Sequence, residues 1–264
     1  MSNTFNFKRF GRFFAYDLRS AWRDGGMSLL MLSCAPVFVF VLLQLSSLIL
    51  RGTFMVLTHH VFIATFIISM LITVIAFPVR HYGKLTGKAA GSNWILLPVS
   101  RFEKYLSLLL ITCVVVPAVW FCLMTASDYL LSVIFPHHYI QGYPVMRDIY
   151  MNLLDKVAGL NWPGWYYFYL SWCSNILIFT LGALFFRKNK VVFTILVLWG
   201  LGIVLSALLG SFGLHGSIEV DALDVERAYY GFMEHIRLIV FCIYLVEFAL
   251  LDLGIYFRLK SLKH

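Results

Sequence analysis

Charge is what this chain has least of: Asp, Glu, Lys and Arg make up 13% of its 264 residues, against 61% for hydrophobic types. A soluble domain of this size needs more polar surface, so that class is excluded. Paired cysteines are also missing. Cys34, Cys113, Cys122, Cys173 and Cys242 lie within apolar stretches without ligand or disulfide spacing, and read as small apolar residues. A phosphate loop is missing too, because Tyr82 and Ala89 stand around Gly87-Lys88 where that motif needs Gly and then Ser or Thr. Any nucleotide hydrolysis must then come from another polypeptide. The first apolar run follows a long polar arm and has no small-residue cleavage site after it, so it reads as an uncleaved helix. No Glu-Glu pair, His-x-x-x-His set or Ser/Lys dyad occurs at helical spacing within the apolar segments, which argues against an intramembrane enzyme.

What the chain does have is six long apolar segments, at 29–50, 58–78, 106–128, 165–186, 191–210 and 237–257. Each is near the ~20 residues a helix needs to cross a ~30 Å hydrocarbon core. The runs are continuously apolar rather than alternating, which predicts helices and not strands. The expected architecture is all-α: a polytopic membrane protein with six transmembrane helices over 29–257, an amino-terminal amphipathic helix over 1–28 and a basic tail over 258–264. Trp94, Trp162, Trp165, Tyr166, Tyr167, Tyr169 and Tyr256 lie near the predicted boundaries, where amphipathic rings prefer to sit.

Lys and Arg sort onto alternate sides of these segments. Sixteen of the 21 fall in residues 1–28, the 79–105 loop, the 187–190 connection and the tail; only Arg51, Arg147, Lys156, Arg227 and Arg237 fall elsewhere. The positive-inside rule then puts both termini in the cytoplasm. The net charge of +8 reads as this topology signal, and no nucleic-acid partner is expected.

The amino-terminal arm is doubly striped. On a helix, Phe7, Phe10, Phe14, Leu18 and Ala21 share an arc of about 80°, while Lys8, Arg12, Arg19 and Arg23 share a second arc centred more than about 100° away. Such a helix lies along a membrane surface, its aromatic stripe at the acyl boundary and its basic stripe toward lipid phosphates or a cytoplasmic partner. Asp24-Gly25-Gly26 is expected to supply the turn into the first crossing.

The 79–105 loop ends in Leu97-Pro98-Val99-Ser100-Arg101-Phe102-Glu103. Ser100 is placed as an N-cap and Glu103 three residues on as its capping-box partner, opening the next helix. External segments are expected at 136–164 and 211–236. In the first, apolar residues at 146, 149, 150, 153, 154 and 157 predict an amphipathic helix on the outer leaflet. The second is acidic but lacks the spacing of a calcium loop.

Glu247 stands ten residues after Arg237 and eleven before Arg258, roughly 15 Å from either flank and so near the bilayer centre. A carboxyl at that depth is expensive and often functional. Two roles stay open: a structural hydrogen bond to Gln44, Ser174 or Asn175, or direct handling of a proton or substrate. Asp252, nearer the tail, is expected to reach interfacial lysines or arginines.

The basic arm, the six crossings and the stretch Asn93-Trp94-Ile95-Leu96-Leu97-Pro98-Val99-Ser100-Arg101-Phe102-Glu103-Lys104-Tyr105 together resemble the membrane subunits of ABC-2 type transporters. The resemblance covers the whole topology, while its residue-level match is confined to the Leu-Pro-Val-Ser-Arg-Phe-Glu-Lys stretch. It implies an interfacial elbow helix and a coupling loop that docks on a separate cytoplasmic ATPase. In that docking Trp94, Leu96 and Leu97 would be apolar anchors, with Arg101 and Glu103 at the rim. It also implies a pair of permease subunits, alike or different, in a bacterial cytoplasmic membrane. No cofactor is then expected on this chain, and MgATP belongs to the partner. The long 136–164 segment departs from the family habit of placing external length between helices five and six. An alternative reading is a proton- or ion-coupled carrier using Glu247, for which an inverted repeat would speak; none is seen.

Overall fold

The computed structural model describes residues 5–86, 97–154, 164–211, 242–259 and 261. The described residues are mostly helical and contain no strand; one isolated bridge joins Leu57 to Tyr139. In chain order the helices are α1 (Phe7–Ala21), α2 (Met27–Ser33), α3 (Ala35–Arg51), α4 (His59–His81), α5 (Arg101–Leu109), α6 (Val116–Ile134), α7 (Val145–Leu154), α8 (Gly164–Phe185), α9 (Lys190–Ser211) and α10 (242–259). Wide π-helical turns at Trp22–Gly26 and Leu110–Val115 join α1 to α2 and α5 to α6 without interrupting them.

Three described helices are long and apolar enough to cross a membrane: His59–Thr86, Arg101–Ile134 and Phe168–Phe185. A fourth follows if Phe7–Ser33 and Ala35–Arg51, bent by 49° at their junction, count as one span. These helices fit a multi-pass membrane protein.

The junction falls at Cys34 and not at Asp24-Gly25-Gly26, where the sequence puts a turn. Pro36 has no N–H to offer the carbonyl four residues back, and its ring crowds that carbonyl, so the helix breaks there. Cys34 leaves helical geometry at ψ 11°. Gly25 and Gly26 serve close packing instead: a Cβ on Gly25 would lie 3.0 Å from the Phe77 ring, and one on Gly26 would lie 2.7 Å from the Trp22 ring.

Helix α4 packs against α2, α3 and α8, and α6 packs against α2 and α3. Aromatic rings fill this core. Phe66 meets Trp120 at 5.0 Å, Trp120 meets Trp172 at 5.4 Å and Phe121 meets Phe168 at 5.2 Å. Both tryptophans are fully buried. Such rings combine large buried area with edge-to-face attraction. The α8–α9 contact is close because residue 182 is glycine: a Cβ there would sit 2.9 Å from Thr194 Cγ2 and 3.0 Å from its Cβ.

Helix α7 forms within the predicted 136–164 segment. Residue 157 lies outside the described residues; along the described part of the helix Val145 and Met146 are fully buried and Ile149 and Tyr150 pack on the core. The reason lies in the preceding loop. Asp128 on α6 accepts hydrogen bonds from the Tyr139 hydroxyl at 2.6 Å and the Met146 N–H at 2.7 Å, which fastens the start of α7 to α6. Ile140, next to the anchored Tyr139, is held at φ 41°, a conformation that costs a β-branched residue strain.

Candidate functional site

At one end of the bundle, segments far apart in sequence meet through charge. Ser100 caps α5, its hydroxyl accepting the Glu103 N–H, while Glu103 accepts the Ser100 N–H at 3.0 Å. The spacing in the sequence predicts this capping box, and the structure contains it. Its carboxylate does more than cap. The Arg9 guanidinium donates to both of its oxygens, at 2.9 and 2.7 Å, and the Asn6 N–H donates at 2.9 Å. A two-pronged Arg–carboxylate contact is directional as well as strong.

Glu103 precedes the apolar part of its helix, which begins at residue 106. Burial alone would raise its pKa; the Arg9 guanidinium and the backbone N–H groups of Asn6 and Ser100 outweigh that and push it down to about 2. The side chain is fully buried. It is therefore a joint inside the protein and not the rim contact that the sequence suggests. Arg101, its expected companion at the rim, is exposed, and Leu97 is half-buried. Trp94 and Leu96 lie outside the described residues.

A second joint lies one helical turn deeper. Asp17, fully buried on α1, accepts from the Ser107 hydroxyl of α5 at 2.7 Å and faces His81 Nε2 of α4 at 3.6 Å. The other imidazole nitrogen, Nδ1, stands 3.2 Å from Asp24, which also binds Lys84 at 2.6 Å. Residues of α1, the Trp22–Gly26 turn, α4, the 82–86 turn and α5 thus share one polar network. Ser107 donates to a carboxylate and not to the imidazole. Among the described residues no group of three or more His, Cys, Asp or Glu is placed to hold a metal.

Two more basic residues close the same end. Lys190 donates to the Gly83 carbonyl and, at 2.6 Å, to the Thr86 hydroxyl. Arg258 donates to the Leu184 carbonyl at 3.1 Å, and its guanidinium lies 4.9 Å from the Phe185 ring centre. The arm, the 82–86 turn, the start of α5, the α8–α9 connection and the end of α10 therefore gather together.

These joints turn α1 about its axis. Its buried line is Phe13, Asp17 and Ala21, so the aromatic stripe divides: Phe14 and Leu18 pack on the core while Phe7 stays 81% exposed. Phe10 lies 6.0 Å from Phe14. Arg12 and Arg19 are exposed. Asp17 is one of the members of this site that sequence reasoning misses, because one carboxylate amid basic residues reads as solvated. Its only signal is a position one turn from Phe13 and Ala21 on a single face.

The polar residues expected to lie within the membrane do not meet. Glu247 has no hydrogen-bond partner among the described residues. Gln44 instead clasps the 53–55 loop, donating to the Met55 carbonyl at 2.6 Å and accepting its N–H at 3.1 Å. Asn175 donates to the Ser171 carbonyl of its own helix at 2.7 Å. In each case a nearby backbone group satisfies the amide first. Asp252 faces Tyr105 rather than a cation, with its Oδ1 buried and unpaired.

Comparison with protein-family models, curated proteins and solved structures finds no match to this chain.

Proposed function

We propose that the chain is the membrane subunit of an ATP-driven transporter of the ABC-2 type, working as an exporter in a bacterial cytoplasmic membrane. In this reading the four candidate spans are joined by α9 and α10 to make six crossings, and both termini face the cytoplasm. A separate ATPase carries the MgATP, and a second permease subunit, identical or sister, completes the pathway. The observation that supports it best is the Glu103 joint. Residues 97–100 lead straight into Glu103, and Glu103 grips Arg9 and Asn6, so a push on the 79–105 loop reaches the amino-terminal helix and α5 together. The clustering of basic segments at that same end supports a cytoplasmic placement.

The test is co-purification of the ATPase with a Trp94→Ala, Leu97→Ala variant. Loss of buried apolar anchors commonly costs about 2 kcal/mol or more, so association should weaken at least ~30-fold while membrane insertion persists. An unchanged yield of ATPase removes the coupling role.

A further inference from the structure

Between α1 and residues 97–99 the surface folds into a cavity of about 550 Å³. Its polar lining includes Lys8, Arg12 and Tyr16, and its apolar lining includes Phe13, Leu97 and Val99. Arg9 borders it too, but Glu103 already occupies that guanidinium. Lys8 and Arg12 have no ion pair among the described residues. Among its described lining residues the cavity therefore carries positive charge with no acid left to balance it.

We propose that this cavity binds the phosphodiester headgroup of an anionic phospholipid. Lys8 and Arg12 are the phosphate ligands, Tyr16 offers a hydroxyl, and Phe13, Leu97 and Val99 receive the glycerol and the first methylenes. Charge sets the sign of the ligand, since paired cations beside an acceptor-rich group give the stronger class of hydrogen bond. The apolar half sets its source. A free phosphate has no use for three hydrocarbon walls, whereas a lipid presents hydrocarbon directly behind its phosphate. The surroundings agree: Phe7 is 81% exposed, Phe102 is 48% exposed and Phe5 is 40% exposed, with Phe5 and Phe102 6.1 Å apart. Rings left bare beside a cationic pocket suit the boundary between headgroups and acyl chains. The volume lies within the range of small-molecule sites. Leu97 is shared with the proposed ATPase contact, but lipid binding here needs a membrane surface and no ATPase, so its measurement on this chain alone is independent of the transporter reading.

Native mass spectrometry of the full-length chain in neutral detergent tests it, with phosphatidylglycerol, phosphatidylcholine of the same acyl chains, and glycerol 3-phosphate as probes. Wild type should retain one phosphatidylglycerol well above phosphatidylcholine. Lys8→Gln, Arg12→Gln should weaken that binding about 30-fold. Val99→Trp, which fills the cavity and leaves every charge, should weaken it as well. Arg19→Gln, Arg23→Gln, which removes the same charge from outside the cavity, should not. Equal loss in the two charge variants, or no loss in the first, overturns the site in favour of diffuse surface attraction. Competition by glycerol 3-phosphate at the lipid's own concentration overturns the lipid assignment.

Discussion

At the α1 end Glu103 meets Arg9 across 94 positions of sequence, and Ser107 meets Asp17 across 90. At the opposite end Asp128 meets the Tyr139 hydroxyl and the Met146 N–H only 11 and 18 positions away. Both ends bury carboxylates, but at one Glu103 is balanced by the Arg9 guanidinium and Asp17 is held by the Ser107 hydroxyl, both from distant elements, while at the other Asp128 is held by neutral donors from the next loop. A buried carboxylate tolerates either solution when its oxygens are fully bonded. The first kind ties elements together and depends on charge; the second fixes a local chain reversal and depends on acceptor atoms.

The largest effect should come from labelling, which is all or none. In a cysteine-free background, an impermeant maleimide added to intact cells should modify Gly52→Cys and Tyr143→Cys but not Arg101→Cys or Arg187→Cys. Modification of all four would mean that the two ends do not face opposite sides. Next comes Glu103→Gln, which keeps an acceptor and loses the charge. It should cost about 2 kcal/mol, read as a lower Tm in detergent. Asp128→Asn, the matching change at the other end, should cost about 1 kcal/mol, because one strong acceptor remains for the two donors. A larger loss at Asp128 than at Glu103 would reverse the contrast between the ends.

Acid supplies the finest distinction. The Glu103 pKa is lowered from the ordinary 4.5 to about 2 in the folded protein, so the stability it adds is full above about pH 4.5 and is lost as pH falls toward 2. The Tm gap between wild type and Glu103→Gln should hold steady from pH 7 to about pH 5. It should then close progressively, and a gap that widens in acid would contradict the joint.

Much of this is legible in the chain and some of it is not. The apolar runs place α4, the α5–α6 helix and α8 within a few residues, because hydrocarbon length leaves little choice. The Ser100–Glu103 box is equally legible, since both partners lie within one turn. Arg9 as the second partner of Glu103 is invisible: nothing local distinguishes it from Lys8 or Arg12 until the helices pack. The same holds for the Trp120–Trp172 contact, where rings assigned to no boundary meet in the core. Gly25-Gly26 misleads because glycine pairs signal turns in water, yet here they admit Phe77 and Trp22, and the bend passes to Pro36.

That bend gives the amino-terminal rod mechanical leverage. Residues 7–33 form one continuous helix, roughly 40 Å long at 1.5 Å per residue, hinged at Cys34. Swinging such an arm by about 5° carries its tip through roughly 3.5 Å, farther than a hydrogen bond can stretch before it is lost. Arg9 sits near that tip. Its contact with Glu103 thus fixes the angle of the rod closely, since even a few degrees would part the two groups.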